Sequence, residues 1–125
     1  KTMALQIADK LKLAGTLCVE MFVAGQDILV NEIAPRPHKS GHYSIEACNF
    51  SQFDTHIRGI LGEPLPPIRL LSPAVMINVL GQDMEATQAF LQENPTAHPH
   101  FYGKLEAKHN RKMGHVTVLG EDVEE

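Results

Sequence analysis

Positive charge is scarce in this 125-residue chain: 11 lysines and arginines stand against 15 aspartates and glutamates, for a formal net charge of −4. The resulting pI near 6.0 argues against nucleic acid or an anionic membrane as a general partner, since both need a broad basic field. Cysteine is also scarce. Cys18 and Cys48 lack metal-type spacing and Cys18 sits among apolar strand residues, so buried free thiols are expected rather than a disulfide. There is no signal-peptide pattern and no apolar run long enough to cross a bilayer, and no repeat or low-complexity segment. Together these traits predict a soluble, cytoplasmic protein. With 43% hydrophobic residues the chain can build one ordinary core, with at most a small appendage.

The most informative stretch is Asn31-Glu32-Ile33-Ala34-Pro35-Arg36-Pro37-His38-Lys39-Ser40-Gly41-His42-Tyr43. A hydrophobic strand there ends in a carboxylate and enters a cationic loop stiffened by two prolines, which hold the residues before them extended. Arg36 and His38 are thus presented from a rigid segment suited to phosphate or carboxylate. Upstream, residues 16–23 and 28–33 read as the strands of a β-hairpin. A three-residue turn, Gly25-Gln26-Asp27, would set Ala24 opposite Ile28 and Glu20 opposite Glu32. Like charges directly opposed destabilise a ladder unless something compensates, and a divalent cation would. Two ordinary surface glutamates fit the spacing equally well, because a one-residue change in the turn puts them on opposite faces.

The rest of the chain reads as a series of short elements. Ala4, Ile7, Ala8 and Leu11 follow the i, i+3, i+4, i+7 spacing of a buried helical face, and so abrupt a start from Lys1 predicts a fragment of a larger protein. Ser51 is expected to cap a helix with Asp54 at its third position, an apolar stripe of Phe53, Ile57, Ile60 and Leu61, and a stop at Gly62 and Pro64. Residues 74–80 read as a buried strand, Asp83 as the cap of a short helix ended by Asn94-Pro95, and residues 100–106 and 115–119 as two further strands. Between these, Lys104, Lys108, His109, Arg111 and Lys112 form a basic cluster. It is readable as an anion site, although composition alone favours a solvated hairpin tip.

Other chemistries find little support. His38 and His42 are four apart, but Pro37, Ser40 and Gly41 argue against the helix that a zinc pair at this spacing needs. Neither cysteine is in an activated context, and Ser40 and Ser44 lack the strand-turn-helix elbow of a serine nucleophile.

The runs Val19-Glu20-Met21-Phe22, Val30 through His38, Ser40 through Cys48 and Ser51-Gln52-Phe53 resemble the 5-(carboxyamino)imidazole ribonucleotide synthase family. So do Gly103-Lys104 and Arg111-Lys112-Met113-Gly114-His115-Val116. The resemblance covers essentially the whole chain and roughly the last third of the family's usual length. It implies an α+β fold, with the closing part of an ATP-grasp domain in residues 1–62 and a small β-rich C-terminal domain in residues 63–125. It further implies an ATP-dependent ligase of purine synthesis, homodimeric as the parent enzyme, that carboxylates aminoimidazole ribonucleotide with bicarbonate through carboxyphosphate.

Carried over residue by residue, the resemblance makes Glu20 and Glu32 ligands of Mg²⁺, or of Mn²⁺ in its place. Asn31 and Glu32 become the nucleotide-binding pair, and Arg36 and His38 the holders of bicarbonate or carboxyphosphate. Lys104 and Arg111 would grip the ribose phosphate, in place of a solvated tip. One departure stands out: the family commonly carries asparagine after the histidine, where this chain has Lys39, which adds charge and loses an amide's acceptor. A sister ATP-grasp enzyme, glycinamide ribonucleotide transformylase, shares the Pro-Arg-Pro-His loop but continues differently. A noncatalytic cation-binding or metabolite-binding module is the reading outside this class. The fragment alone is expected to be catalytically silent.

Overall fold

In the computed structural model, which describes residues 2–120, the chain is α+β and divides into two units. One comprises residues 1–45 and 49–69, the other residues 46–48 and 70–125. Lys1 and residues 121–125, the outer ends of the two expected domains, lie outside the described residues. Among the described residues no helix is long and apolar enough to cross a membrane.

In the first unit, helix α1 spans Thr2–Lys10. Its expected buried face is only half-buried, and Leu11, beyond the helix end, is exposed. The antiparallel hairpin of β1 (Cys18–Ala24) and β2 (Asp27–Ala34) follows. Its β-branched and aromatic residues favour extended backbone. The turn is shorter than expected: Gly25 and Gln26 alone join the strands, with Ala24 opposite Asp27 and Val23 opposite Ile28. Gly25 has φ 65°, the positive value that the first central position of a two-residue type II′ turn requires. Continued regularly, that register would put Asn31 opposite Glu20. Instead the register shifts between Glu20 and Met21, and Glu20 pairs with Glu32. A β-bulge at Asn31 thus supplies the offset that the sequence reading assigned to the turn.

The cationic loop closes in a 3₁₀ turn, Lys39–Gly41, followed by the short helix α2, Ser44–Ala47. Helix α3, Gln52–Leu61, begins at the expected capping box: the Ser51 hydroxyl accepts from the Phe53 and Asp54 amides, and the Asp54 carboxylate accepts from the Ser51 amide. It ends at Gly62 in the left-handed conformation. The stripe of Phe53, Ile57, Ile60 and Leu61 is exposed within this chain. The half-buried side of α3 is where His56 accepts from the Thr16 amide at 3.0 Å and Gly59 meets the Gly15 backbone.

The second unit holds β3 (Ala74–Leu80), α4 (Met84–Glu93), β4 (His98–Phe101) and β5 (Lys112–Leu119), the strands forming an antiparallel sheet ordered β3-β5-β4. Its core is Val79, Ala97 and Val116, packed by Met84, Leu91 and Val118. Three expectations need correction. In the strand at 74–80 only Val79 is buried, and Val75 and Ile77 are exposed. Asp83 precedes α4 without capping it, its carboxylate accepting instead from the Leu80 amide at 3.3 Å. The last two strands start earlier than predicted and the fourth ends at Phe101, because Gly103, with φ 66°, turns the chain out of the sheet. The cysteines are free, as expected, but half-buried rather than buried; burial still pushes the Cys48 thiol above its ordinary pKa.

Candidate active site

The bulge shapes the first cluster. Two residues of β2 stand against one of β1 there, so Asn31 is re-aimed, and its side-chain amide donates to Glu20 Oε2 at 3.4 Å. Glu20, Glu32 and His38 each bring a potential ligand atom within 4.8 Å of the others. His38 is 5% exposed, although it belongs to a surface loop, and its Nε2 lies 3.4 Å from Glu20 Oε1. Its Nδ1 accepts from the Ser40 amide and lies 3.0 Å from the Ser40 hydroxyl. With Nδ1 used as an acceptor, the neutral ring carries its proton on Nε2, so His38 presents an N–H to the carboxylates.

Two carboxylates with partly solvated oxygens are the donor set of a hard divalent cation, which takes one or two carboxylates and completes its shell from water and phosphate. The residues present therefore fit Mg²⁺ or Mn²⁺. Arg36 is exposed, its Nη1 donating to the Pro37 carbonyl at 3.0 Å, and it forms no ion pair with the cluster. Lys39 is exposed in the first position of the 3₁₀ turn.

The second unit presents Lys104 and Arg111, both exposed, in the connection from β4 to β5. Lys104 Nζ donates to the Lys112 carbonyl, and Arg111 Nη1 to the Glu106 carbonyl at 3.2 Å. This loop is anchored. Gln82 accepts from the Asn110 amide at 2.8 Å and donates back to its side chain at 3.2 Å, holding Asn110 at φ 59° just before Arg111. A Cβ at Gly81 would collide with the Lys108 carbonyl, so the loop backbone rests directly on Gly81.

Comparison with known proteins finds matches over both parts of the chain. Residues 1–53 match the ATP-grasp domain, and residues 74–125 match the phosphoribosylaminoimidazole carboxylase C-terminal domain. The N5-carboxyaminoimidazole ribonucleotide synthase of Staphylococcus saprophyticus is 54% identical over 122 residues, 96% of this chain and 32% of the relative. Over nearly its whole length the chain is similar to this synthase family. The Staphylococcus aureus synthetase solved with ADP superposes with a TM-score of 0.89 at 52% identity, over 98% of this chain and 33% of that one. The Aspergillus clavatus synthase solved with ADP and 5-aminoimidazole ribonucleotide does so with a TM-score of 0.75 at 42% identity, over 86% and 31%. The chain thus spans about a third of the length of the synthases it matches.

Several residues that shape these two clusters carried no signal in the sequence. Gln52, Ser40 and Gln82 act through hydrogen bonds to loops 2 to 28 residues away. Also unforeseen is Glu46, whose carboxylate pairs with His100, itself stacked on His115 with centroids 4.6 Å apart.

Proposed function

We propose that this chain is the C-terminal third of an ATP-dependent ligase that converts 5-aminoimidazole ribonucleotide and bicarbonate to N5-carboxyaminoimidazole ribonucleotide. The observation that carries this reading is the convergence of Glu20, Glu32 and His38 within 4.8 Å, in a chain whose relatives have been solved with ADP and with the aminoimidazole substrate. Glu20 and Glu32 would hold the Mg²⁺ or Mn²⁺, which when bound neutralises phosphate charge and orients the nucleotide. Asn31, donating to Glu20, keeps that carboxylate aimed and stands beside Glu32 as the nucleotide-binding pair.

In this reading a bicarbonate oxygen attacks the γ-phosphorus of ATP, expelling ADP and forming carboxyphosphate. Its P–O–C linkage then breaks to release phosphate and CO₂. The exocyclic amine of the ribonucleotide bonds to the CO₂ carbon and loses a proton. His38, with its N–H on Nε2, and Arg36, on its proline-stiffened segment, supply preorganised donors where negative charge develops. Lys104 and Arg111 hold the ribose phosphate at a distance from the reacting amine, where binding energy serves orientation. Residues 1–62 would complete the ATP-grasp domain and residues 63–125 form the substrate domain of a cytoplasmic, homodimeric enzyme.

The test is ADP release by the full-length enzyme that contains this segment. Release that depends on both bicarbonate and aminoimidazole ribonucleotide supports the reading, and nucleotide turnover indifferent to both contradicts it. The chain in isolation is expected to release no ADP above background and to bind Mg·ATP weakly. Micromolar binding by calorimetry would move the nucleotide site.

A further inference from the structure

Gln52 opens α3, and its side-chain amide reaches back to the cationic loop. Oε1 accepts from the His38 backbone N–H at 2.9 Å, and Nε2 donates to the His38 carbonyl at 2.8 Å. The second Nε2 hydrogen goes to His42 Nδ1, also at 2.8 Å. One primary amide thus satisfies both peptide groups of His38 and spans the 3₁₀ turn. The amide is itself held in place: the Gln52 N–H donates to the Ser44 hydroxyl at 2.9 Å, and that hydroxyl donates to the Gly41 carbonyl. The loop backbone lies so close that a Cβ at Gly41 would stand 2.5 Å from Gln52 Oε1 and 2.8 Å from its Cδ. Gly41 does not have a positive φ, so this proximity is what calls for glycine there.

We propose that Gln52 is a positioning residue for the anion site: it locks the His38 peptide, so that the imidazole N–H stays aimed at the carboxylate cluster. The inference rests on the proposed role of His38 in holding bicarbonate or carboxyphosphate. At neutral pH only a primary amide supplies a donor and an acceptor from one end of a side chain of this length. Glutamate keeps the acceptor and loses both donors; methionine keeps the bulk and loses all three bonds. A loss of about an ångström in the aim of an anion-binding group is enough to cost turnover.

The test uses the full-length enzyme with Gln52→Met, Gln52→Glu, Gly41→Ala, and Gly41→Ala combined with Gln52→Ala. Gln52→Met and Gln52→Glu should each lower kcat/KM for bicarbonate by about tenfold or more, with the KM for ATP within about twofold of wild type. Gly41→Ala, which leaves Gln52 in place but pushes its amide aside, should reproduce that signature. In the Gln52→Ala background, with nothing to collide with, it should add less than about a twofold effect. Hydrogen exchange at the His38 amide should quicken at least about tenfold in Gln52→Met, a readout independent of turnover.

Wild-type bicarbonate kinetics in both Gln52 variants would overturn the proposal. So would an uneven exchange result, with the His38 amide as protected in Gln52→Met as in wild type. A uniform loss for all three substrates together with a lowered melting temperature would assign Gln52 a merely structural role. If the enzyme with native Gln52 shows no bicarbonate-dependent turnover, the functional reading fails, while His38 exchange still decides the clamp.

Discussion

Removing either loop cation of the second unit should damage use of the ribonucleotide and spare use of ATP. Lys104 and Arg111 each spend one N–H on a carbonyl of their own loop. A lysine has three donors and an arginine five, so each keeps donors for a phosphate. The Gln82–Asn110 pair and the close approach at Gly81 hold the loop in place before substrate arrives, so little ordering cost offsets those bonds. A hydrogen bond to a charged group is worth about 1.5–3 kcal/mol, which corresponds to roughly a 10- to 150-fold loss in kcat/KM for the ribonucleotide. Because both side chains are exposed, the lower part of that range is expected for Lys104→Ala and for Arg111→Ala. The double variant should lose less than the product of the two, since both are proposed to act on one phosphate. Steady-state rates with ATP and bicarbonate saturating give the answer. A raised KM for ATP with an unchanged KM for the ribonucleotide would refute the assignment.

Two perturbations test the packing that carries the first unit. Gly15 has φ 101°, and a Cβ there would stand 2.6 Å from His56 Nδ1, so Gly15→Ala should destabilise by about 2–4 kcal/mol through backbone strain and loss of the Thr16–His56 bond. An unchanged urea midpoint would rule that packing out. Ser51→Ala should cost about 1 kcal/mol as a lost N-cap. Hydrogen bonds from Ser51 hold the Asp54 carboxyl below its ordinary pKa. That stabilisation is therefore complete above the ordinary value of about 4 and fades as pH falls through the lower folded-state value. The stability gap between wild type and Ser51→Ala should accordingly narrow in acid; a gap constant down to pH 2 would contradict the capping account.

Local chemistry was the most legible part of the fold. Ser51, Asp54 and Gly62 form the cap and stop expected of them, because these bonds close within a few residues. The pairing of Glu20 with Glu32 was also foreseen, but through the wrong device: a three-residue turn was expected where a two-residue turn and a bulge at Asn31 give the same offset. Residue spacing reports only the sum of such offsets. Periodicity likewise marks a face as apolar without saying what covers it, which is why the face of α1 reads as buried and is only half-buried, and why the apolar stripe of α3 is exposed within this chain. Gln52 could not be found that way. Its partners lie 10 and 14 residues upstream, and a lone glutamine at a helix start has no pattern of its own.

The central claim, that the opposed carboxylates of the hairpin hold the metal that handles the nucleotide, is tested most directly by ADP release from the full-length enzyme carrying Glu32→Gln at saturating Mg²⁺. Glu32 lies across the ladder from Glu20 and within 4.8 Å of both Glu20 and His38 through their ligand atoms. Glutamine keeps its size and removes its charge, weakening the metal and misplacing the phosphates together. The account predicts turnover at background even with excess metal. A rate near that of wild type would mean that Glu20 and Glu32 are surface glutamates and that the nucleotide is handled elsewhere.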